Sequence, residues 1–287
     1  MVLSKIKYFI FLILITGTFV SKQSSADEFN ENSFLIAEVN TSNIGSTQFW
    51  NFIESNNRTG IEFNATVNNN RVYIGNNTRN VEIILNQLAE LVNSDSTRII
   101  PVFIKLSGNH IILDSIIQQS PVSSCIFQLP RGEAWPPLDY LLQSNRRILF
   151  FVTGDFENQS QMLHKTSNYI LKISADEFTG SSFSNMENSL INYELLMVDE
   201  FEKLPTKTPP NSLSRNLVPD YINFLLENWT KYGKRPNFIF VGEKIFEFDF
   251  IISQLQSFTW INGTIKASGK TMEKVYWRSP DVGVTAG

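Results

Sequence analysis

The chain has 287 residues, a formal net charge of −4 at pH 7, 42% hydrophobic residues and a single cysteine. Without a basic tract long enough to track a phosphate backbone, nucleic acid is set aside as a partner. One thiol cannot staple an exported chain, so stability must come from a packed core. Cys125 opens the apolar segment CIFQL and reads as a small buried hydrophobe rather than a nucleophile.

Residues 1–26 read as a signal peptide. Lys5 and Lys7 precede an apolar run over 8–15, extended through Phe19 and Val20, and Ser24-Ser25-Ala26 supplies small residues for cleavage. The run is short for a membrane span, and no cysteine near the cleavage point suggests a lipid anchor. The expectation is a secreted protein, periplasmic in a bacterial source. Cleavage removes three lysines and no acid, taking the net charge from −4 to −7. The remaining ~260 residues, 27–287, suit one domain of the (β/α)₈ barrel size, or alternatively two small domains. Asn-x-Ser/Thr sequons at Asn40, Asn57, Asn64, Asn76, Asn158, Asn228 and Asn262 would be glycan acceptors in a eukaryotic source.

Strand-like and helix-like stretches alternate along this domain. A strand over 34–39 precedes a helix over 46–55 with Ser46 as N-cap. A second strand over 60–67 turns through Asn68-Asn69-Asn70 into a partner strand over 71–75, and apolar residues at helical spacing fill 81–92. A third strand over 99–106, a helix over 111–117 and a fourth strand over 125–129 follow. Pro136 and Pro137 suit the first turn of a short helix, on which Leu138, Leu141 and Leu142 share a face. Asn145-Arg146-Arg147 closes that helix with cations near its negative end. The unbroken apolar run 148–152 is a strand covered on both sides. Strands over 169–173, 194–198 and 238–241, with a helix over 221–229, complete eight strands of an α/β fold with a parallel barrel. The Pro- and Thr-rich stretch 203–214 reads as a long surface loop. The aromatic groups Phe49, Trp50, Phe52 and Phe246, Phe248, Phe250 read as helix–sheet packing, with contact to lipid as the alternative.

Three segments carry a resemblance. Trp135, Pro136, Leu138, Leu141, Leu142, the basic pair Arg146-Arg147 and Ile148 resemble the X region of phosphatidylinositol-specific phospholipases C. RPNFIFVGEKIF, residues 235–246, is similar to a late strand of the same proteins. GIEFNATVNNNRVYIGNN, residues 60–77, resembles the strand and hairpin around which the related glycerophosphodiester phosphodiesterases place metal ligands and a histidine. In order, the three imply a TIM-barrel phosphodiesterase of the phospholipase C-like superfamily.

Chemistry in such barrels sits at the carboxyl ends of the strands. The residues there are Asn40, Asn43, Glu62, Asn64, Asn76, Lys105, Arg131, Glu133, Asp155, Asp199, Glu200, Glu243 and Lys244. The resemblance implies one histidine after the first strand and a second after the hairpin, where this chain has Asn43 and Asn76. An amide does not exchange protons near neutral pH, and general acid–base catalysis needs a group that does. The resemblance also implies metal-binding acids: Glu62 matches one, Asn64 and Phe103 replace the others, and Lys105 matches the following lysine. One carboxylate beside an amide and a phenyl ring is a poor calcium or magnesium site. No cofactor is therefore expected, with weak Ca or Mg binding as the alternative.

The chain has two histidines. His110, just beyond the third strand, is the fallback catalytic base, or simply opens the next helix. His164 reads as a solvated or half-buried residue of a surface helix. The sequence thus favours a degenerate phosphodiesterase, a pseudoenzyme that binds a phosphodiester or phospholipid headgroup through Glu62, Asn64, Lys105, Arg131, Asp155 and Asp199. It is expected to be monomeric, with a membrane surface as a further partner. The alternatives are an active phosphoric diester hydrolase with an unfamiliar site, and an interaction scaffold.

Overall fold

The computed structural model describes residues 33–40, 42–56, 58–75, 79–129, 133, 135–154, 160, 162–174, 195–199, 225 and 236–242, and the backbone of 258–261 and 264–267. The signal peptide expected over 1–26, most of the helix expected over 221–229 and the loop 203–214 lie outside them.

Eight parallel strands form the centre: β1 (Phe34–Glu38), β2 (Thr59–Asn68), β5 (Ile100–Ser107), β6 (Ile148–Thr153), β7 (Leu163–Lys165), β8 (Ile170–Ser174), β9 (Leu195–Asp199) and β10 (Phe238–Gly242). Their spatial order is β7-β6-β5-β2-β1-β10-β9-β8. β3 (Arg71–Ile74) pairs antiparallel with β2, β4 (Arg79–Asn80) extends that hairpin, and β11 (Phe258–Ile261) pairs with β12 (Thr264–Ala267). Asn69 and Asn70 both have positive φ, so the β2–β3 turn is the two-residue type I′ connection that matches strand twist.

The sheet is curled. Phe151 of β6 and Phe238 of β10 stand four strands apart in the ladder, about 19 Å in a flat sheet, yet their ring centroids are 5.5 Å apart. The concave face holds its own core, including Phe34, Ile36, Phe103, Phe151, Leu195, Met197, Phe238 and Phe240. The convex face packs under the helices through a second core that includes Leu35, Ala37, Phe63, Val102, Phe150 and Ile239. Period-two alternation along every strand divides the two cores. β7 and β8 end the sheet, are joined by the single turn α5 (Thr166–Tyr169), and do not pair with one another among the described residues. The α/β class and the parallel sheet expected from the sequence are present; a closed ladder is not part of the described structure.

The flanking helices form where their signals predict. α1 (Thr47–Ser55) starts at Ser46, whose Oγ accepts the Phe49 N–H at 3.3 Å. α2 (Glu82–Ser94) buries Ile84, Leu85, Leu88, Leu91 and Val92. α3 (His110–Gln119) is capped by Asn109, whose Oδ1 accepts the Ile111 N–H at 2.9 Å. α4 (Leu138–Gln143) turns Leu138 and Leu141 into the concave core. It ends in a Schellman motif: Arg146 N–H donates to Leu141 O and Asn145 N–H to Leu142 O, with Asn145 at φ 57°.

Two sequence expectations are corrected. The fourth strand over 125–129 does not form. Ser123–Cys125 is a 3₁₀ turn, and Ile126 makes only an isolated bridge to Ile148. Phe127 and Leu129 enter the concave core instead. β5 pairs directly with β6, and an additional strand, β7, adds beyond β6 where a surface helix was expected. Three residues are too few to show a period, so this strand left no pattern to read.

Candidate functional site

Parallel register places the carboxyl ends of the concave-face strands side by side. Glu38 of β1 is level with Glu62 of β2, Glu62 with Phe103 of β5, and Asn64 with Lys105. Glu62 is 5% exposed, and its Oε2 accepts a hydrogen bond from Lys105 Nζ at 2.8 Å. The Lys105 side chain remains 45% exposed, and its ammonium lies 5.3 Å from the Phe240 ring centroid, within cation–π range. On the other side of the concave face, Lys172 Nζ pairs with Asp199 Oδ2 at 2.6 Å, Lys172 being 44% and Asp199 18% exposed.

The two pairs feel one another. Burial pushes the Glu62 carboxyl above its ordinary pKa; the hydrogen bond and charge of Lys105 and the charge of Lys172 oppose this, and Asp199 adds to it. Burial alone would lower the Lys105 ammonium, but the Glu62 hydrogen bond and the charges of Glu62, Asp199 and Glu38 outweigh it and hold its pKa raised. The mouth is thus a ring of three carboxylates and two half-exposed ammoniums floored by phenyl rings. Its ammoniums suit an anion, and its carboxylates suit hydroxyl or cationic donors.

Of the residues singled out in the sequence, Glu62, Lys105 and Asp199 meet in this cluster. Asn64 follows Glu62 along the same face of β2 and is exposed. Asn76, Arg131, Asp155, Glu200, Glu243 and Lys244 lie outside the described residues. Asn43 belongs to the loop after β1: its Nδ2–H donates to Glu38 O at 2.9 Å and its Oδ1 accepts the Asn40 N–H at 2.8 Å. Asn40 Oδ1 in turn accepts from the Ser42 and Asn43 N–H groups. These amides hold the turn. His110 is the first residue of α3, half-buried beside its cap. Phe103, where an acid was sought, stacks on Phe151 at 5.0 Å.

His164 is the larger correction. It is 1% exposed on β7, level with Phe151, inside a box of Phe127, Trp135, Phe151 and Tyr169 whose centroids lie 5.4–5.9 Å from its ring. Burial lowers its pKa to about 4, against a hydrogen bond to the Phe127 backbone. Sequence reasoning also passed over Lys172; its alternation with Leu171 and Ile173 in a short apolar strand was the available signal.

Among the described residues, no three His, Cys, Asp or Glu side chains are placed to hold a metal ion together. No described helix is long and apolar enough to cross a membrane.

No family model matches the chain, and no curated protein does. Among solved structures it is similar to the phosphatidylinositol-specific phospholipase C from Listeria monocytogenes, with a TM-score of 0.44 and 12% identity over 82% of this chain and 96% of that one.

Proposed function

We propose that this is an exported protein of phospholipase C-like architecture, its curled sheet completed as a (β/α)₈ barrel. In this reading its mouth binds a phosphodiester or phospholipid headgroup with little or no turnover. The observation that carries the reading is Lys105: a half-exposed ammonium fixed by a buried carboxylate and set over an aromatic ring, at the end of the strands where such folds do their chemistry. A headgroup with a phosphate and hydroxyls would place its anion at the lysines and its donors on Glu38 and Asp199. The reading of low turnover is supported by the histidines: His164 is sealed in an aromatic box with a pKa of about 4, and His110 sits on a helix start.

The second reading, an active hydrolase, draws on Glu62. A buried carboxyl with a raised pKa is a candidate general acid. One experiment separates the two. Purified protein is titrated with inositol phosphate and glycerophosphocholine by calorimetry, and assayed on phosphatidylinositol and glycerophosphodiesters with and without calcium or magnesium. Binding that falls at least tenfold in Lys105→Met, without product formation, supports the proposal. Turnover lost in Glu62→Gln moves the assignment to a hydrolase. No binding of either ligand overturns both.

A further inference from the structure

Away from the mouth, α1 and α2 stand apart on the convex side of the sheet and leave a groove of about 520 Å³ between them. That volume is in the range of ligand clefts. Both helices connect adjacent parallel strands, so they run in the same direction. Each presents one stripe to the groove: Thr47, Trp50 and Glu54 from α1, and Ile83, Gln87 and Glu90 from α2.

Charge is segregated along this groove. At the amino-terminal end lies Arg79, which follows the hairpin. Its guanidinium covers Gly45, where an added Cβ would sit 3.7 and 3.8 Å from the two terminal nitrogens. No acid occupies the first turn of α1, and the one in the first turn of α2, Glu82, is not among the residues lining the groove. Toward the carboxyl-terminal end, Glu54 of α1 and Glu90 of α2 both line the groove, and both are exposed. Between them the floor is apolar, from Trp50, Ile83 and Leu91. Seven residues of helix separate Thr47 from Glu54, about 10 Å at 1.5 Å per residue. An extended peptide covers that span in three residues.

We infer that the groove binds a short extended peptide segment of a partner protein, with an acidic group on Arg79 and a basic side chain three residues away between Glu54 and Glu90. The walls contribute the amide and hydroxyl groups of Gln87, Asn51 and Thr47 for the peptide backbone, and the floor takes one small apolar side chain. The inference stands apart from the mouth and does not depend on what binds there.

The test is an amide NMR titration of the protein with end-blocked Lys-Ala-Val-Asp and Asp-Ala-Val-Lys tetrapeptides, their neutral Gln/Asn counterparts, and a linear ω-aminoalkanoate of the same span. The Trp50 indole N–H, which donates to Ile44 O at 2.9 Å, reports from the floor. One charged peptide should shift Trp50, Thr47 and Gln87, and bind at least tenfold tighter than its neutral counterpart. Arg79→Glu, and separately Glu54→Gln with Glu90→Gln, should each remove that preference, while Lys105→Met leaves it intact. All three groove positions are exposed, so the variants leave the core untouched. Equal binding of the neutral peptides, equal binding of the aminoalkanoate, or no shift in the groove at millimolar peptide would overturn the inference.

Discussion

Lys105 Nζ and Glu62 Oε2 are 2.8 Å apart, but the two ends of this bond live in different solvents: the carboxyl side chain is 7% exposed and the ammonium side chain 45%. The partners are therefore unequal. Removing the lysine strands a buried charge, whereas neutralising the acid leaves a lysine that water can still solvate.

Lys105→Met should destabilise the fold at pH 7 by about 1–3 kcal/mol, a range discounted for the exposure of the lysine. Glu62→Gln should cost less. Burial raises the Glu62 pKa, so the native state holds that proton more tightly than the unfolded chain. Stability from this group is therefore gained as pH falls through the raised value toward the ordinary value of 4.5, and lost as pH rises. The Lys105→Met deficit should shrink in acid. Urea midpoints of both variants at pH 7 and pH 4.5 check this; a deficit that is the same at both values would be the contrary result.

His164 makes the opposite prediction on the same axis. Its folded pKa of about 4 lies below the ordinary value of 6.5, so the unfolded chain takes up the proton first. Stability is fully present above pH 6.5 and declines as pH falls toward 4, by about 3 kcal/mol across the window. His164→Phe should flatten that part of the pH–stability curve. Denaturation midpoints at pH 7, 5.5 and 4 in wild type and variant test it.

Arg98 is 2% exposed and serves α1 from outside it. Its guanidinium donates to Ile53 O at 2.7 Å, to Asn56 O at 3.3 Å and to Glu54 O, carbonyls at the end of that helix. Arg98→Met should cost about 1–3 kcal/mol, because it removes three charged hydrogen bonds, although Ile53 O keeps the Asn56 N–H and Asn56 O keeps the Thr59 hydroxyl. Amide exchange should quicken first in α1, and uniform loss of protection across the sheet would contradict this local role.

Gly60 lies level with Ile36 and faces the concave core. A Cβ there would sit 2.4 Å from Pro101 O and 2.8 Å from Ile36 Cδ1. Gly60→Ala should destabilise by about 1–3 kcal/mol through overpacking, read as a lower melting temperature, and Ile36→Val should recover part of the loss.

Much of this architecture was legible where physical signals are strong. Ser46, the helical spacing of 81–92, the Asn-rich turn at 69–70 and the apolar runs of β1, β5 and β6 each impose one conformation on their own neighbourhood. The loss of the strand over 125–129 and the gain of β7 were not legible. CIFQL has strand composition, but its inward-turning Phe127 and Leu129 are satisfied by a core assembled from distant strands. β7 is named by its neighbours, not by its own residues. For the candidate cluster, Glu62, Lys105 and Asp199 could be brought together because the ends of strands could be located. Lys172 needed the register between β8 and β9, and the box around His164 needed the curl that brings Trp135 and Tyr169 together.

The two outermost strands of the sheet follow one another in the chain, joined by four residues. Loop-closure entropy rises with the length of the segment spanned, so this short link holds the two edges of the sheet near one another at little conformational cost, without ladder bonds between them among the described residues. His164 on β7 and Tyr169 at the start of the next edge, whose rings lie 5.5 Å apart, are thereby tethered by the chain itself.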